Sequence, residues 1–293
     1  MQALLVTFLW STSWVLIKIG LADIPPLTFA GLRYFLAFLV LLPFAVARRS
    51  FRGLTRGDWF SLALLGVVMY ALTQGSQFFA LDYLPAQTTS LLLSFSPALV
   101  ALLGTWLLAE PLDPKQWGGV LLYLLGALLY FYPAELPAGQ VIGLAIAIFG
   151  LIANALAGIV GRSVNRGGGL NPLSVTVVSM GFGSILLLGS GFTLGGLPEL
   201  DPGSWAIVAW LAVVNTAFAF TLWNHTLRTL TAMESSIVNN TMLIQIAVLA
   251  WVFLGESLMV KEFLGLTMAA AGILTVQILG GRARRAAQRA AAD

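Results

Sequence analysis

Long apolar runs separated by short polar breaks dominate the chain from end to end. Each run is about 20 residues long, the length that a helix needs to cross roughly 30 Å of hydrocarbon. The runs are continuous rather than alternating with a period of two, which favours helices over barrel strands. Ten runs occur, at about 2–20, 27–46, 59–80, 86–108, 116–133, 140–160, 172–192, 205–226, 233–254 and 263–280. The pattern predicts an all-α integral membrane protein with ten transmembrane helices.

The composition agrees, because 59% of the 293 residues are hydrophobic and only 9% are charged. A water-soluble domain needs far more polar surface. The first run is long and lacks a basic leader, so we expect it to stay as a span and not to be cleaved as a signal peptide. The chain has no cysteine, which excludes disulfides and thiolate metal sites.

The basic residues predict the orientation of the spans, since cytoplasmic loops carry an excess of Lys and Arg. With both termini cytoplasmic, Lys261 alone falls in an outer loop, and Lys18 and Arg33 fall within spans. All the others then lie inside: Arg48, Arg49, Arg52, Arg56, Lys115, Arg162, Arg166, Arg228, Arg282, Arg284, Arg285 and Arg289. The opposite orientation reverses this bias, so we predict that both termini are cytoplasmic.

An internal repeat is the most informative feature of the sequence. LPAQTTSLLLSFSPALVALLGTWLLAEPLDPKQWGG, from Leu84, aligns without gaps on LTAMESSIVNNTMLIQIAVLAWVFLGESLMVKEFLG, from Leu230, an offset of 146 residues. The same offset matches Glu110 with Glu256, Lys115 with Lys261, Gly119 with Gly265, Gly126 with Gly272, Gly57 with Gly203, Trp59 with Trp205 and Pro26 with Pro172. For the first span an offset of 144 fits better and pairs Lys18 with Arg162.

Each copy holds five predicted spans, and an odd number makes the second copy enter the membrane in the opposite sense. We therefore predict two inverted five-helix repeats, 1–134 and 135–281, followed by a basic cytoplasmic tail, 282–293. The loop charges agree: four arginines precede Trp59, whereas the loop before Trp205 has no Lys or Arg and carries Glu199 and Asp201. Inverted repeats are typical of secondary transporters that work by alternating access, although channels can also be built this way.

Several motifs resemble the EamA family of the drug/metabolite transporter superfamily. They are WSTSWVLIK (Trp10 to Lys18), PPLTFAGLRY (Pro25 to Tyr34) and SPALVALLGTWLLAEPLDPKQWGGVLLYLLG (Ser96 to Gly126) with its echo VLAWVFLGESLMVKEFLGLTMAAAG. The second half departs from the pattern, because Glu262 replaces Gln116 and Ser179 stands at the position that matches Arg33.

This resemblance covers nearly the whole chain and implies a carrier in the bacterial inner (plasma) membrane. It implies export of amino acids or other small metabolites, without fixing one cargo. It also implies a structural role for Glu110 and Glu256 at the ends of their spans.

Arg33 is the first candidate for substrate binding. It lies seven residues past Pro26, so at roughly 1.5 Å per residue it is on the order of 10 Å into its span. An arginine there is costly unless it snorkels, pairs or faces a wet cavity. Two interpretations stay open: snorkelling or a purely structural pairing, or contact with an anionic group of the cargo such as a carboxylate.

The other candidates are polar or aromatic side chains within the apolar runs. Tyr70, Gln74 and Gln77 fall on one helical face, which predicts either contacts between helices or the lining of a cavity. Trp10 and Trp14 fit stacking on cargo or anchoring at the membrane interface. The predicted substrate-binding set is Trp10, Ser13, Trp14, Arg33, Tyr70, Gln74, Gln77, Trp223, Asn224 and Asn239.

Two titratable residues are candidates for proton coupling. His225 is the only histidine of the chain, and it lies near the end of its span, where a solvated side chain costs little. Glu234 begins the ninth span, and the alternatives to proton coupling are that it favours the N-terminus of its helix or pairs with Arg228.

The chain lacks a phosphate-binding Gly-x4-Gly-Lys-Ser/Thr motif and any metal-spaced His/Cys/Asp/Glu cluster, so we predict no cofactor, no metal and no ATP-driven pumping. No paired nucleophile motif supports an enzyme. The basic tail suits anionic lipid better than nucleic acid. The expected partners are a small-molecule substrate and the bilayer, and the oligomeric state is open.

The inverted repeat predicts alternating access around a central cavity, and the family resemblance implies that the carrier is an amino-acid-type exporter. An exporter of cationic or aromatic drugs and a passive channel are the alternatives.

Overall fold

Helices make up the whole of the regular structure in the computed structural model, which describes residues 1–84, 86–133, 141–196, 199–254 and 259–290. Within these ranges the helices are α1 (Gln2–Gly20), α2 (Pro26–Ala47), α3 (Arg56–Gly66), α4 (Gly75–Tyr83), α5 (Ala86–Leu93), α6 (Ser96–Leu107), α7 (Pro114–Phe131), α8 (Val141–Asn165), α9 (Pro172–Gly195), α10 (Pro202–Ala212), α11 (Ala219–Thr226), α12 (Ala232–Asn239), α13 (Met242–Leu254) and α14 (Val260–Ala290). Two π-helical segments, Val67–Gln74 and Val213–Phe218, join α3 to α4 and α10 to α11.

Six helical stretches of the described chain are long and apolar enough to span a membrane. They are Pro26–Ala47, Arg56–Gln77, Val141–Asn165, Pro172–Gly195, Pro202–Thr226 and Val260–Gly280, and Leu91–Leu107 is a shorter apolar helix. The prediction of an all-helical membrane protein is confirmed at this level. The count of ten spans stays a prediction, because two of the predicted runs are helices of 18 or 19 residues, α7 and α1, and two others are interrupted.

The interruptions fall at equivalent places in the fourth and ninth predicted spans. The helix breaks between Leu93 and Ser96, and again between Asn239 and Met242, 146 residues further on. Pro97, whose missing N–H predicts a kink, is in the first turn of the helix that restarts after the first break. The ninth span breaks without a proline. The helix break is therefore common to both copies, whereas the proline occurs in the first copy alone.

Helix starts repeat with the same spacing. Five helices of the first half begin 146 residues before a counterpart: Pro26 and Pro172, Arg56 and Pro202, Ala86 and Ala232, Ser96 and Met242, Pro114 and Val260. The π-helical segments begin at Val67 and Val213, which are also 146 apart. Prolines in the first turn and side-chain caps such as Thr55, Asp113 and Asp201 fix several of these starts.

Equivalent helices of the two halves pack against each other in antiparallel pairs. In the pair α2 and α9, a β-carbon on Gly31 would lie 2.6 Å from the α-carbon of Leu188, and one on Gly191 would lie 2.7 Å from the backbone nitrogen of Thr28. Residue numbers thus increase along α2 while the numbers of the residues they contact on α9 decrease, which shows that the two helices are antiparallel.

The pair α7 and α14 shows the same order. A β-carbon on Gly119 would lie 3.0 Å from the carbonyl oxygen of Gly272, and one on Gly126 would lie 2.6 Å from that of Gly265. Since Gly265 and Gly272 are the repeat partners of Gly119 and Gly126, the contact is reciprocal, as expected across an approximate two-fold axis. Small residues permit this close backbone approach.

Gly126→Ala tests this contact. The new methyl group would lie 2.5 Å from the backbone nitrogen of Ala269, so α7 and α14 must separate. We expect a loss of about 1 to 3 kcal/mol of stability, measured as a lower midpoint of thermal unfolding in detergent. Gly118→Ala is the matched control, because Gly118 is exposed and no described atom lies within 4 Å of its added carbon. Equal midpoints for the two variants would contradict the close packing.

The outer surface of the bundle is apolar. Phe60 and Trp106 are 71% and 85% exposed, and many leucines and isoleucines on α7, α8, α9 and α14 are exposed as well. Such a surface is unfavourable in water and is expected where lipid surrounds the protein. Trp59 and Trp205, which are repeat partners, are also exposed and begin their spans, as aromatic anchors at a membrane interface do.

Candidate functional site

A central cavity of about 350 Å³ lies among helices of both halves. Its volume falls in the range of small-molecule sites. Residues of α1, α2, the segment Val67–Gln74, α4, α8, α11, α12 and α13 contribute to its wall. The breaks in the two interrupted spans line the cavity. Leu93 and Ser94 contribute from the fourth predicted span, and Asn239 and Asn240 contribute from the ninth.

Arg33 lines this cavity while its side chain is almost fully buried. Its Nε donates to the hydroxyl of Thr216 at 2.7 Å, and its Nη2 donates to the carbonyl of Asn215 at 3.4 Å. The guanidinium carbon lies 5.4 Å from the ring centre of Tyr34. Within the described residues no carboxylate pairs with it, since the ion pair found there joins Arg162 to Glu110.

These partners belong to a π-helical segment, Val213–Phe218. A π-helical turn disturbs the ordinary ladder of backbone hydrogen bonds and is frequent at functional sites. Here the carbonyl of Asn215 accepts from two side chains, Arg33 and the indole Nε1 of Trp10 at 3.0 Å. The side-chain amide of Asn215 in turn donates to the carbonyl of Leu9. The segment thus holds α1 and α2 together at the cavity.

Aromatic rings form one part of the wall. The ring of Trp10 lies 4.9 Å from that of Phe220 and 5.2 Å from that of Trp223, and Tyr34 meets Phe220 edge-on at 5.9 Å. These separations are typical of favourable ring contacts. The rings support one another and present a firm apolar surface to the cavity.

Amides and hydroxyls form the rest of the polar lining. The side chains of Gln74, Gln77 and Asn239 line the cavity without a hydrogen bond to any described residue. Asn154 lines it too, with its Nδ2 donating to Ser96 at 2.9 Å. Asn240 is fixed by the hydroxyl of Tyr123, which donates to its Oδ1 at 2.8 Å.

Seven of the predicted site residues meet at this cavity: Trp10, Ser13, Arg33, Gln74, Gln77, Trp223 and Asn239. Trp14 lies on α1, but its side chain is outside the part that the structure describes. Tyr70 does not line the cavity, because it is fully buried behind Tyr34 and Phe220, with ring separations of 5.1 and 5.3 Å.

Asn224, His225 and Glu234 also lie away from the cavity. Asn224 is turned by one helical position from Trp223 and is buried, accepting from Asn165 at 2.9 Å and donating to Thr176 at 3.0 Å. His225 is exposed. Glu234 is buried at the start of α12, where its carboxylate accepts from the backbone N–H of Thr231 at 2.9 Å and closes a capping box.

Tyr34, Asn154, Thr216 and Phe220 were not in the predicted set, although they line the cavity or hold Arg33. The repeat contained a signal for three of them, including Thr216, which an offset of 146 pairs with Tyr70. An offset of 144 pairs Asn154 with Trp10, and an offset of 146 pairs Phe220 with Gln74. No sequence pattern points to Tyr34.

A buried ion pair borders one end of the cavity. Arg162 on α8 donates from Nε to Glu110 at 2.9 Å and from Nη1 to the carbonyl of Leu227, a residue of the cavity wall, at 2.8 Å. The other oxygen of Glu110 accepts from the backbone N–H of Ala232 at 2.9 Å. Glu110, which follows the end of α6, thus contacts both Arg162 on α8 and the start of α12.

A cluster of three or more His, Cys, Asp or Glu side chains that could hold a metal is not found in the described ranges. The described lining of the cavity offers one cation, Arg33, together with several amides, hydroxyls and aromatic rings. Such a lining can bind and orient a small molecule.

Curated proteins of similar sequence are transporters by name. The chain is 23% identical to the uncharacterized transporter YoaV of Bacillus subtilis (strain 168) over 275 residues, covering 92% of each chain. It is 26% identical to a probable amino-acid metabolite efflux pump of Salmonella typhimurium over 311 residues, covering 98% of this chain and 96% of the relative. An S-adenosylmethionine/S-adenosylhomocysteine transporter of Chlamydia trachomatis is 32% identical over 123 residues, which cover 42% of this chain and 38% of the relative.

The fold is shared with a solved crystal structure at a TM-score of 0.76 and 18% sequence identity, covering 96% of this chain and 98% of the other. The model of the EamA-like transporter family matches two segments, residues 1–132 and 141–278. Together these segments include nearly the whole chain, and they contain every residue of the cavity wall described above. The chain therefore belongs to the EamA-like transporter family.

Proposed function

We propose that this protein is a secondary exporter of small amino-acid-type metabolites that works by alternating access around the central cavity. The observation that carries the proposal is Arg33, a buried cation that lines the cavity with no carboxylate partner in the described chain. A buried charge is costly unless it is paired. An anionic group of the cargo would supply the missing pair.

The hydrogen bonds of Arg33 favour a carboxylate in particular. Because Nε donates to Thr216 and one N–H of Nη2 donates to the carbonyl of Asn215, Nη1 and the second N–H of Nη2 are the groups left for a ligand. Two parallel N–H groups match the two oxygens of a carboxylate. A fixed positive charge also disfavours cationic cargo, which separates this proposal from export of cationic drugs.

We further propose ten spans arranged as two inverted five-helix repeats, 1–134 and 135–281, with a cytoplasmic tail at 282–293. The junction near residue 134 is outside the described residues. Support comes from helix starts, helix breaks and π-helical segments that recur after 146 residues. The antiparallel packing of α2 on α9 and of α7 on α14 is what inverted copies would produce.

The location that we propose is the bacterial inner membrane, with both termini in the cytoplasm. The distribution of arginines between the predicted loops supports this orientation. The efflux pump among the relatives supports export as the direction and an amino-acid metabolite as the cargo class.

The cavity wall bears on coupling, because none of its described residues is an acid or a histidine. His225 and Glu234, which the sequence offered for proton coupling, lie elsewhere. This arrangement favours facilitated diffusion or exchange of cargo over proton transfer within the cavity.

Counterflow in proteoliposomes, with and without a pH gradient, tests the proposed function. The panel contains zwitterionic amino acids, dicarboxylates and organic cations. We expect saturable counterflow of carboxylate-bearing cargo that does not depend on the gradient. Saturable flux of the cations alone would support a drug carrier, and flux that does not saturate would indicate a channel. Either result would overturn the proposal.

A further inference from the structure

Residues of the cavity wall correspond through the repeat, but their chemistry differs between the halves. Phe220 and Trp223 follow Gln74 and Gln77 by 146 residues, and Asn154 follows Trp10 by 144. Each aromatic ring of this set thus has an amide at the equivalent position. We refer to Trp10, Phe220 and Trp223 as the aromatic wall and to Gln74, Gln77 and Asn154 as the amide wall.

The aromatic wall is built as a rigid surface. The ring of Trp10 contacts both other rings, at 4.9 and 5.2 Å, and its indole N–H is held by the carbonyl of Asn215. The polar atom of Trp10 is therefore used inside the protein, and its ring is fixed in orientation. A flat group of the cargo can stack on such a surface at little entropic cost.

The residues of the amide wall occupy the positions in their repeat that correspond to those of the aromatic wall. Helix α8 runs antiparallel to the third predicted span, because a β-carbon on Gly143 would meet Tyr83 and one on Gly150 would meet the hydroxyl of Ser76. Asn154, one turn beyond Gly150, is thereby brought to the level of the segment that ends at Gln74. These amides and the rings line one and the same cavity.

The amides of Gln74 and Gln77 are unpaired within the described chain and half-buried in the cavity. Buried amides left without partners cost free energy, so a cargo that displaces their water without replacing the hydrogen bonds binds weakly. Sites of this kind discriminate strongly against analogues that lack the matching polar atoms. The amide wall therefore selects for hydrogen-bonding atoms on the cargo.

We propose that the two walls determine specificity, and that the cargo is a carboxylate carrying a flat ring with hydrogen-bonding atoms on its edge. This inference rests on the proposed function, since it takes the carboxylate to bind Arg33. The ring lies on the aromatic wall, and its polar edge meets the amide wall. The cavity of about 350 Å³ has room for one such molecule.

Direct titration of the purified full chain in lipid nanodiscs tests the proposal with four probes. Leucine has no ring, phenylalanine has a ring without a polar edge, and tyrosine and 4-carbamoylphenylalanine have polar edges. We expect the affinity to rise in that order. In Gln74→Leu/Gln77→Leu the preference for 4-carbamoylphenylalanine over phenylalanine should fall on the order of tenfold, as for the loss of one or two hydrogen bonds. In Phe220→Leu the preference for phenylalanine over leucine should fall.

Gln2→Leu is the matched control, because Gln2 is exposed at the start of α1. It should keep both preferences. If the double variant does not fold, as judged by thermal unfolding, Gln77→Met provides the same comparison with one nearly isosteric change. An unchanged preference in a folded variant would overturn the role of the amide wall.

The failure of this inference can be told from the failure of the proposed function. Probes that bind in an Arg33-dependent way, but equally with and without a polar ring edge, would overturn the two walls alone. Binding of leucine in preference to every flat probe would do the same. Absence of binding for all four carboxylates would overturn both proposals.

Discussion

Arg33→Gln is expected to abolish most transport of carboxylate-bearing cargo. The change keeps a polar side chain, although a shorter one, and removes the positive charge and the guanidinium N–H groups of a residue that lines the cavity. Hydrogen bonds to charged groups are worth about 1.5 to 3 kcal/mol, which corresponds to a loss of affinity of roughly 10- to 100-fold. Counterflow of zwitterionic and anionic amino acids should show this loss.

Two comparisons decide whether the effect comes from the cavity. Arg52→Gln removes an exposed arginine outside the helices and should behave as the unchanged protein does. Arg33→Lys keeps the charge but not the fork, so it should restore only part of the affinity. Equal transport by Arg33→Gln and the unchanged protein would show that Arg33 has a structural role and does not bind cargo.

Glu110→Gln is expected to destabilise the protein strongly. Glu110 and Arg162 have side chains only 12% and 10% exposed, and their contact is 2.9 Å long. Removing one charge of a buried pair leaves the other uncompensated, at a cost of about 3 to 5 kcal/mol. We expect a large fall in the midpoint of thermal unfolding in detergent.

A double-mutant cycle separates the pair from other effects of the change. Arg162→Gln should cost a similar amount, and the double variant should cost clearly less than the two single costs together. Glu199→Gln, in an exposed position, is the control and should leave the midpoint in place. Additive losses would show that the two residues stabilise the fold independently.

The helical architecture could be predicted because apolar length is a strong and local signal. Arg33 could be singled out for a related reason, since a charge inside an apolar run is costly wherever it lies. Its contact with Thr216 could not be predicted, because Thr216 comes from a distant part of the chain and only packing brings it to Arg33. The π-helical segment that contains Thr216 has no proline or glycine, so its sequence carries no signal of the irregular helix.

Side-chain direction was the least predictable feature. Tyr70 shares a helical face with Gln74 and Gln77, yet it is covered by Tyr34, a neighbour that no periodicity indicates. Asn224 follows Trp223 directly, but one step along a helix turns a side chain by about 100°. Its amide meets Asn165 and Thr176 instead of the cavity.

The second half of the chain has Ser179 where the first half has Arg33, and among the described residues of the cavity wall Arg33 is the one cation. A cargo anion bound to Arg33 would have no second cation of the described wall to move to, so it would have to dissociate from Arg33 directly. Carriage requires binding that is firm enough to load and weak enough to unload. Compounds that hold Arg33 most tightly should therefore act as inhibitors, and the molecules with the fastest turnover should be those of only moderate affinity.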